Sequence, residues 1–493
     1  MKNAGSGDAL FSLYRPRLAL LTDLYQLTMA EAHFRRPDPD LEAAFHLFFR
    51  EHPFEGGYAI ACGIDAAVEY LLRLRFERED LDYLAGLRDA RERPLFGDDF
   101  LAFLARFRFR GDVDAMPEGT VVFAHEPLLR VIGPILDAQI VETALLNLVN
   151  FPTLVATKAS RLVHAAGGDP VIEFGLRRAQ GIDGGVTAAR AAYVGGCEGT
   201  SNLLAGELFG LPVRGTHAHS WVSSFETEEE AFRVFAAVQP GNSVLLVDTY
   251  DSLAGVRAAA RIGLEMQRRG EQLAGVRLDS GDLAFLSTEA RRILDEAGLE
   301  GVPILASNNL DEHLIESLRQ QGARVDVWCV GTALATARDD PALGGVYKLG
   351  AIRMPGAAWQ PRLKLSEQAA KTTTPGLLAV RRFRRDDGSF LGDMIWDELR
   401  GVEEPPTIVD PIDPFRHLRL DGTVEELLRP RLRAGLPVGG PDSAPVAQER
   451  ARTELASLHP GIRRFLNPHT YPVGLERGLH EARARAILEA RRD

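Results

Sequence analysis

Cysteine is almost missing from this chain: three in 493 residues, at Cys62, Cys197 and Cys329, each in apolar or small-residue surroundings. So few and so far apart, they exclude a disulfide scaffold and a Cys-rich zinc site, and they suit a reducing compartment. No apolar run reaches membrane-spanning length, and the first residues carry no basic-then-apolar leader pattern, so no membrane association is expected. A surplus of positive charge is absent too. With 57 Lys and Arg against 69 Asp and Glu the net charge is −12, which argues against a general nucleic-acid binder but leaves room for a local basic pocket for phosphates. There is no low-complexity tract and no repeat at fixed period. A cytoplasmic enzyme is the simplest placement, and 493 residues are too many for one ordinary core, so two domains are expected.

What is present is a rhythm of short apolar runs that each stop at a polar cluster. Residues 171–175 lead to Arg177 and Arg178, and 211–213 lead to Gly215-Thr216-His217-Ala218-His219-Ser220-Trp221. Residues 244–247 stop at Asp248 and Thr249, and 275–278 stop at Asp279-Ser280-Gly281-Asp282. Residues 303–306 meet Ser307-Asn308-Asn309, and 325–330 meet Gly331 and Thr332. Successive runs lie roughly 20 to 40 residues apart, the spacing of β-α units with parallel strands. Helical stripes fill the intervals: 282–297 with Gly298 placed to stop it, and 310–321 ended by Gly322. In a closed barrel the residues beyond each strand's carboxyl end gather on one face, although a doubly wound open sheet would show the same alternation.

The rhythm is confined to residues 151–374. Residues 1–150 mix a strand-like piece at 44–49 with a helical one at 65–74, and beyond 374 come a Gly- and Pro-rich connector at 435–441 and a charged amphipathic helix at 475–490. The two ends, 1–150 and 375–493, are therefore read as one domain built around a barrel-like centre.

His217 and His219, two apart in an extended segment, would share one face, which suits a metal pair, a reactive His with a helper, or simply a packed pair. Asp279 and Asp282 flank a tight turn at a strand end, where carboxylates can hold a divalent cation or sugar hydroxyls; Asp282 reads equally as a helix N-cap, and Asp279 is assigned to the site. Ser307, Asn308, Gly331 and Thr332 form small, donor-rich turns open to a phosphate. Residues 344–348 read as a flexible turn with a cation, Lys348, beside it. Arg177, Arg178 and Arg277 are candidates for gripping a carboxylate or phosphate, with salt-bridged barrel arginines as the alternative. Neither a triphosphatase loop nor a dinucleotide fingerprint is present. The clusters together favour a phosphorylated sugar and an anionic partner.

Several longer segments resemble the nicotinate phosphoribosyltransferase family. They are Thr22-Asp23-Leu24-Tyr25-Gln26-Leu27-Thr28-Met29, the run from Glu173 to Gly181, Gly215-Thr216-His217-Ala218-His219-Ser220, Arg277-Leu278-Asp279-Ser280-Gly281-Asp282-Leu283, the run from Gly344 to Leu349, and Asn467-Pro468-His469-Thr470-Tyr471-Pro472-Val473. The resemblance spans residues 18 to 475. It implies the type II phosphoribosyltransferase architecture, an irregular α/β barrel plus an α/β sandwich domain built from both chain ends. It also implies union of nicotinate with 5-phosphoribosyl 1-diphosphate to give nicotinate mononucleotide for NAD synthesis, as an ATP-dependent ligase. By the same resemblance ATP phosphorylates His219, Mg2+ enters on the diphosphate, and Asp279 lies near the ribose. Thr216 and Arg277 contact nicotinate with Arg178 nearby, Thr332 holds the 5-phosphate, and Tyr25 stacks on the pyridine ring from the neighbouring subunit of a homodimer. His217 falls where family members vary.

Other readings stay open at this point. A sister enzyme acting on nicotinamide would not need arginines as carboxylate partners. A barrel aldolase or isomerase would be expected to place a Schiff-base Lys or a carboxylate base at a strand end. A non-catalytic relative would be signalled by loss of His219 or Asp279, and both are present.

Overall fold

The apolar runs in the middle of the chain fold as short parallel strands. In the computed structural model, which describes residues 18–38, 40–367, 372–411 and 413–491, these strands form one six-stranded sheet. Its order is Gly199–Thr200, Val171–Glu173, Val327–Val330, Ile304–Ala306, Gly275–Leu278, Val244–Leu246, and every neighbouring pair is parallel. The first 17 residues, where no leader pattern is expected, lie outside the described residues. Among the described residues no helix is long and apolar enough to cross a membrane.

Helices return the chain between strands, and their starts are set by acidic caps. Asp251, Asp282 and Asp311 accept hydrogen bonds from the amides of Ala254, Phe285 and Leu314, opening the helices Ser252–Gln267, Leu283–Glu296 and Glu312–Gln320. Asp282 is thus a cap, and Leu283, Ala290, Ile293 and Leu294 turn the buried face of its helix inward. Gly298, at φ 74°, takes the left-handed conformation that ends that helix.

The two outer strands of this sheet are not paired with each other, so the strands form a half barrel. The gap is bridged by an irregular segment. Residues 211–213, expected as a strand, contain Pro212 and make only an isolated bridge between Val213 and Thr200. The Thr200 amide donates to the Pro212 carbonyl (3.0 Å) and the Arg214 amide to the Thr200 carbonyl (2.9 Å). On the other side the Leu246 amide donates to Nε2 of His217 (3.1 Å), an imidazole standing where a main-chain carbonyl would be.

A second unit is built from both ends of the chain. The contact-dense regions are 1–153, 342–442 and 450–493 for one unit and 154–341 with 443–449 for the other. The barrel unit therefore stops at Pro341 rather than at 374, because Gly345–Arg353 is a strand paired antiparallel with Glu42–Phe49. The expected flexible turn at 344–348 is accordingly mostly strand. Residues 443–449 return to the barrel unit, where Gln448 donates to the carbonyls of Tyr193 and Cys197 (2.7 and 2.9 Å).

The end-built unit holds a seven-stranded sheet and a six-stranded sheet. Glu42–Phe49 lies inside the first, between Gly345–Arg353 and Leu129–Pro134. In the second, Leu378–Arg384 and Phe390–Asp397 pair antiparallel, and Val473–Glu476 runs parallel to the latter. Fully buried Arg382 donates to Asp393 (2.7 Å), Glu454 (2.7 Å) and the Val121 carbonyl (2.7 Å), so its charge is compensated inside the core. The helix expected at 475–490 runs Arg477–Ala490, preceded by the last strand residues.

Candidate functional site

Every strand of the half barrel ends at one rim, and the polar clusters after them meet there. Arg277, third residue of Gly275–Leu278, is the centre. Its Nε donates to Ser307 Oγ (2.9 Å), Nη1 to Thr216 Oγ1 (2.6 Å) and Nη2 to Asp279 Oδ1 (3.2 Å), and the guanidinium lies 5.7 Å from the Phe174 ring centre. Three of its five N–H groups are thereby fixed, leaving one on each Nη. Ser307 also donates to Asp279. Burial pushes the Asp279 carboxyl up, but the Ser307 hydroxyl and the Arg277 charge overcome it and hold the group below its ordinary value.

His219 begins the short helix His219–Val222, with a side chain 45% exposed. Its Nδ1 is 3.2 Å from Thr249 Oγ1, and its Nε2 is 3.8 Å from Asp279 and 3.9 Å from Asp248. Asp248 is locked by the Asp279 amide (2.9 Å) and the Ser280 hydroxyl (2.6 Å) on one oxygen, while its Oδ1 is buried without a hydrogen-bond partner. One reactive-type imidazole thus faces two carboxylates, both on strand ends.

His217 does not share that face. It is 7% exposed, packs edge-on against Phe235 at 4.8 Å, and burial pushes its pKa down to about 4. The paired-histidine metal reading therefore fails: the chain turns into a helix at His219 and separates the two rings. Among the described residues no cluster of three or more His, Cys, Asp or Glu is arranged for a metal.

Beside Arg277 opens a cavity of 140 Å3 reached by Arg177, Arg178, Asp279, Asn308, Gly331 and Thr332. Arg178 Nη1 donates to Thr332 Oγ1 (2.9 Å). Asn308 holds φ at 92°, a conformation rare for any residue but glycine. Gly175 is required by close approach: a Cβ there would lie 2.3 Å from the Ala335 Cβ and 2.8 Å from Glu173 Oε1. Three arginines against one carboxylate make this cavity an anion receptor.

The structure thus brings together Arg178, Thr216, His219, Arg277, Asp279, Ser307, Asn308, Gly331 and Thr332. Tyr25 belongs to the other unit, on the helix Leu24–Phe34, and is 48% exposed; Lys348 also lies in that unit. Asp248 and Thr249 stand at a strand end in the sequence, and their place beside His219 is seen only in the fold. Glu228 gave no sequence signal. Burial, with Asp248 and Asp251 repelling it, pushes its carboxyl up to about 7, and its Oε1 is buried without a partner.

Residues 20–150 match the family model of the nicotinate phosphoribosyltransferase N-terminal domain, and 379–483 match that of the C-terminal domain. The nicotinate phosphoribosyltransferase of Bacillus subtilis is 39% identical, covering 96% of this chain and 96% of its own. The human nicotinate phosphoribosyltransferase is 36% identical over 93% of this chain and 95% of its own. A crystal structure of human nicotinic acid phosphoribosyltransferase has a TM-score of 0.81 at 34% identity, over 94% of this chain and 99% of that one. The nicotinate-nucleotide pyrophosphorylase of Pyrococcus furiosus shares the fold, with a TM-score of 0.67 at 22% identity over 93% of this chain and 98% of its own.

Proposed function

The chain belongs to the nicotinate phosphoribosyltransferase family, and on that premise we propose that it makes nicotinate mononucleotide from nicotinate and 5-phosphoribosyl 1-diphosphate, coupled to ATP through phosphorylation of His219. The observation that carries this reading is the Arg277 guanidinium, fixed by Ser307, Thr216 and Asp279 with one N–H left on each Nη. That pair suits the two oxygens of the nicotinate carboxylate. Thr332 receives the 5-phosphate, with Ser307, Asn308 and Gly331 lining its turns, and Arg178, which donates to Thr332 (2.9 Å), lies between it and the nicotinate.

The transfer breaks the bond from ribose C1 to the diphosphate oxygen, whose electron pair leaves with diphosphate. The pyridine nitrogen's lone pair forms the new bond to C1, so no proton need move. The protein's share is position and charge. Asp279, held ionised, offsets the positive charge that develops on the ribose. Mg2+ enters as part of the diphosphate substrate and favours its departure; the unpartnered oxygens of Asp248 and Glu228 are hard donors of the kind such an ion uses, directly or through water.

In the ATP step one nitrogen of His219 keeps a proton and the other attacks. Asp248 and Asp279 stand nearest Nε2 and would hold its proton, leaving Nδ1, beside the Thr249 hydroxyl, to take the γ-phosphoryl group while ADP leaves. Tyr25, exposed on its helix, would cover the pyridine ring of a neighbouring subunit in a homodimer. The reaction is placed in the cytoplasm.

The test is mononucleotide formation by the purified chain from 5-phosphoribosyl 1-diphosphate and Mg2+, offered nicotinate or nicotinamide, with and without ATP, read by mass. Preferential product from nicotinate, faster with ATP, is expected. Product from nicotinamide alone would move the reading to the sister activity, and no product from either base would overturn it.

A further inference from the structure

A cavity of the end-built unit lies outside the residues assigned to the reaction's chemistry. It measures 380 Å3, within the range that holds small organic ligands. Its walls come from Phe48, Leu378, Ile395, Tyr471 and Leu475, on or beside strands of the two sheets, and from Phe123, which follows a strand of a separate two-stranded pair, Ala59–Ile60 with Val121–Val122. The terminal helix Arg477–Ala490 contributes Arg483 and Ile487, and its C-cap Arg491 also lines the space.

Besides threonine and tyrosine hydroxyls, the polar lining consists of histidines and of charged groups that are mostly cationic. Three histidines reach it, His46, His52 and His125, and none supplies charge. His46 Nε2 accepts from the Leu378 amide (3.0 Å) and His52 Nε2 from the Ala124 amide (3.2 Å), and burial lowers all three, His46 to about 3 and His52 to about 4. The charged lining groups are Lys348, Arg483 and Arg491 against a single carboxylate, Asp410. Among the described residues Arg483 is anchored by carbonyls, donating to Thr373 O (3.3 Å) and Thr372 O (3.1 Å). Carbonyls orient a guanidinium without neutralising it, and burial makes its charge harder to keep. Lys348 is likewise lowered by burial. An apolar chamber whose charged lining is mostly cationic is complementary to a molecule with a hydrocarbon or aromatic body and one acidic head.

We propose that this cavity is a second ligand site of the protein, for a small amphipathic carboxylate whose apolar body lies between the two sheets and whose head pairs with Arg483. The site stands apart from the nicotinate reading and does not depend on it.

Octanoate is the probe, with 1-octanol as its uncharged counterpart, both titrated calorimetrically into the full chain. One octanoate per chain is expected, with 1-octanol at least about tenfold weaker. Arg483→Met should weaken octanoate by about tenfold. Ile487→Trp, whose indole enters from the half-buried end of the helix, should remove binding. Arg277→Met, altered in the other cavity, should leave it unchanged. Equal affinity for octanoate and 1-octanol, no binding at all, loss of binding in Arg277→Met, or binding indifferent to Ile487→Trp would each overturn the proposal. If Arg483→Met also lowers the melting temperature, the Ile487→Trp result decides.

Discussion

Replacing Arg277 by lysine keeps the charge and removes the fork. The guanidinium gives one N–H each to Ser307, Thr216 and Asp279 and has two left for substrate. An ammonium has three donors in all and no planar pair. Each charge-assisted hydrogen bond to a carboxylate contributes about 1.5–3 kcal/mol. A lysine that keeps one such contact and loses the other therefore forfeits about 1.5–3 kcal/mol, or about 13- to 150-fold in kcat/KM for nicotinate. The carboxylate is gripped alike before and during transfer, so the loss should fall on KM with kcat little moved. Steady-state mononucleotide synthesis across nicotinate concentrations separates the two constants. A KM for nicotinate within about threefold of the parent would refute the assignment of Arg277 as the carboxylate partner.

His219→Ala should abolish the stimulation by ATP while mononucleotide formation without ATP persists; equal stimulation in the variant would remove His219 from the coupling. Gly175→Ala forces a Cβ to 2.3 Å from Ala335, and overpacking of this sort costs about 1–3 kcal/mol, to be read as a lower urea midpoint together with weakened binding of 5-phosphoribosyl 1-diphosphate. Arg382→Met strands Asp393 and Glu454 in the core and should cost about 3–5 kcal/mol, much of it recovered when Asp393→Leu is added; a chemical-denaturation cycle on the three variants checks this. Burial holds His217 neutral, with its pKa lowered from 6.5 to about 4. As pH falls through that window the unfolded chain takes up a proton that the folded chain refuses, so stability declines. His217→Asn, which keeps an acceptor for the Leu246 amide, should make that decline shallower in melting curves recorded across the same window.

The barrel was legible because its strands are continuous apolar runs and their ends are marked by capping aspartates, a local signal. The same locality brought Arg277, Asp279 and Ser307 into view, since each sits on or immediately after a run. Pairings over long sequence distances were not legible. Gly345–Arg353 lies about 300 residues from its partner Glu42–Phe49, and two glycines at its start read as a turn when only their neighbours are considered. The histidine pair failed for another reason: alternation assumes an extended chain, whereas the backbone coils at His219. Glu228 is a glutamate in the first turn of a helix, an ordinary position, and only the arrival of Asp248 and Asp251 beside it makes it unusual.

The imidazole of His217 that fills the gap in the half barrel has a mechanical consequence. A ladder of main-chain bonds transmits displacement from strand to strand, whereas a side-chain link through one rotatable ring interrupts it. The rim between Thr200 and Leu246 is therefore an expansion joint, and His219 is mounted on it two residues beyond the link. On the proposed reading, a phosphoryl group arriving on or leaving that ring would shift residues 215–222 without shearing the neighbouring strands. The residue that would carry the energy of ATP is thus fixed to a part of the barrel wall that can yield while the rest of the sheet stays in register.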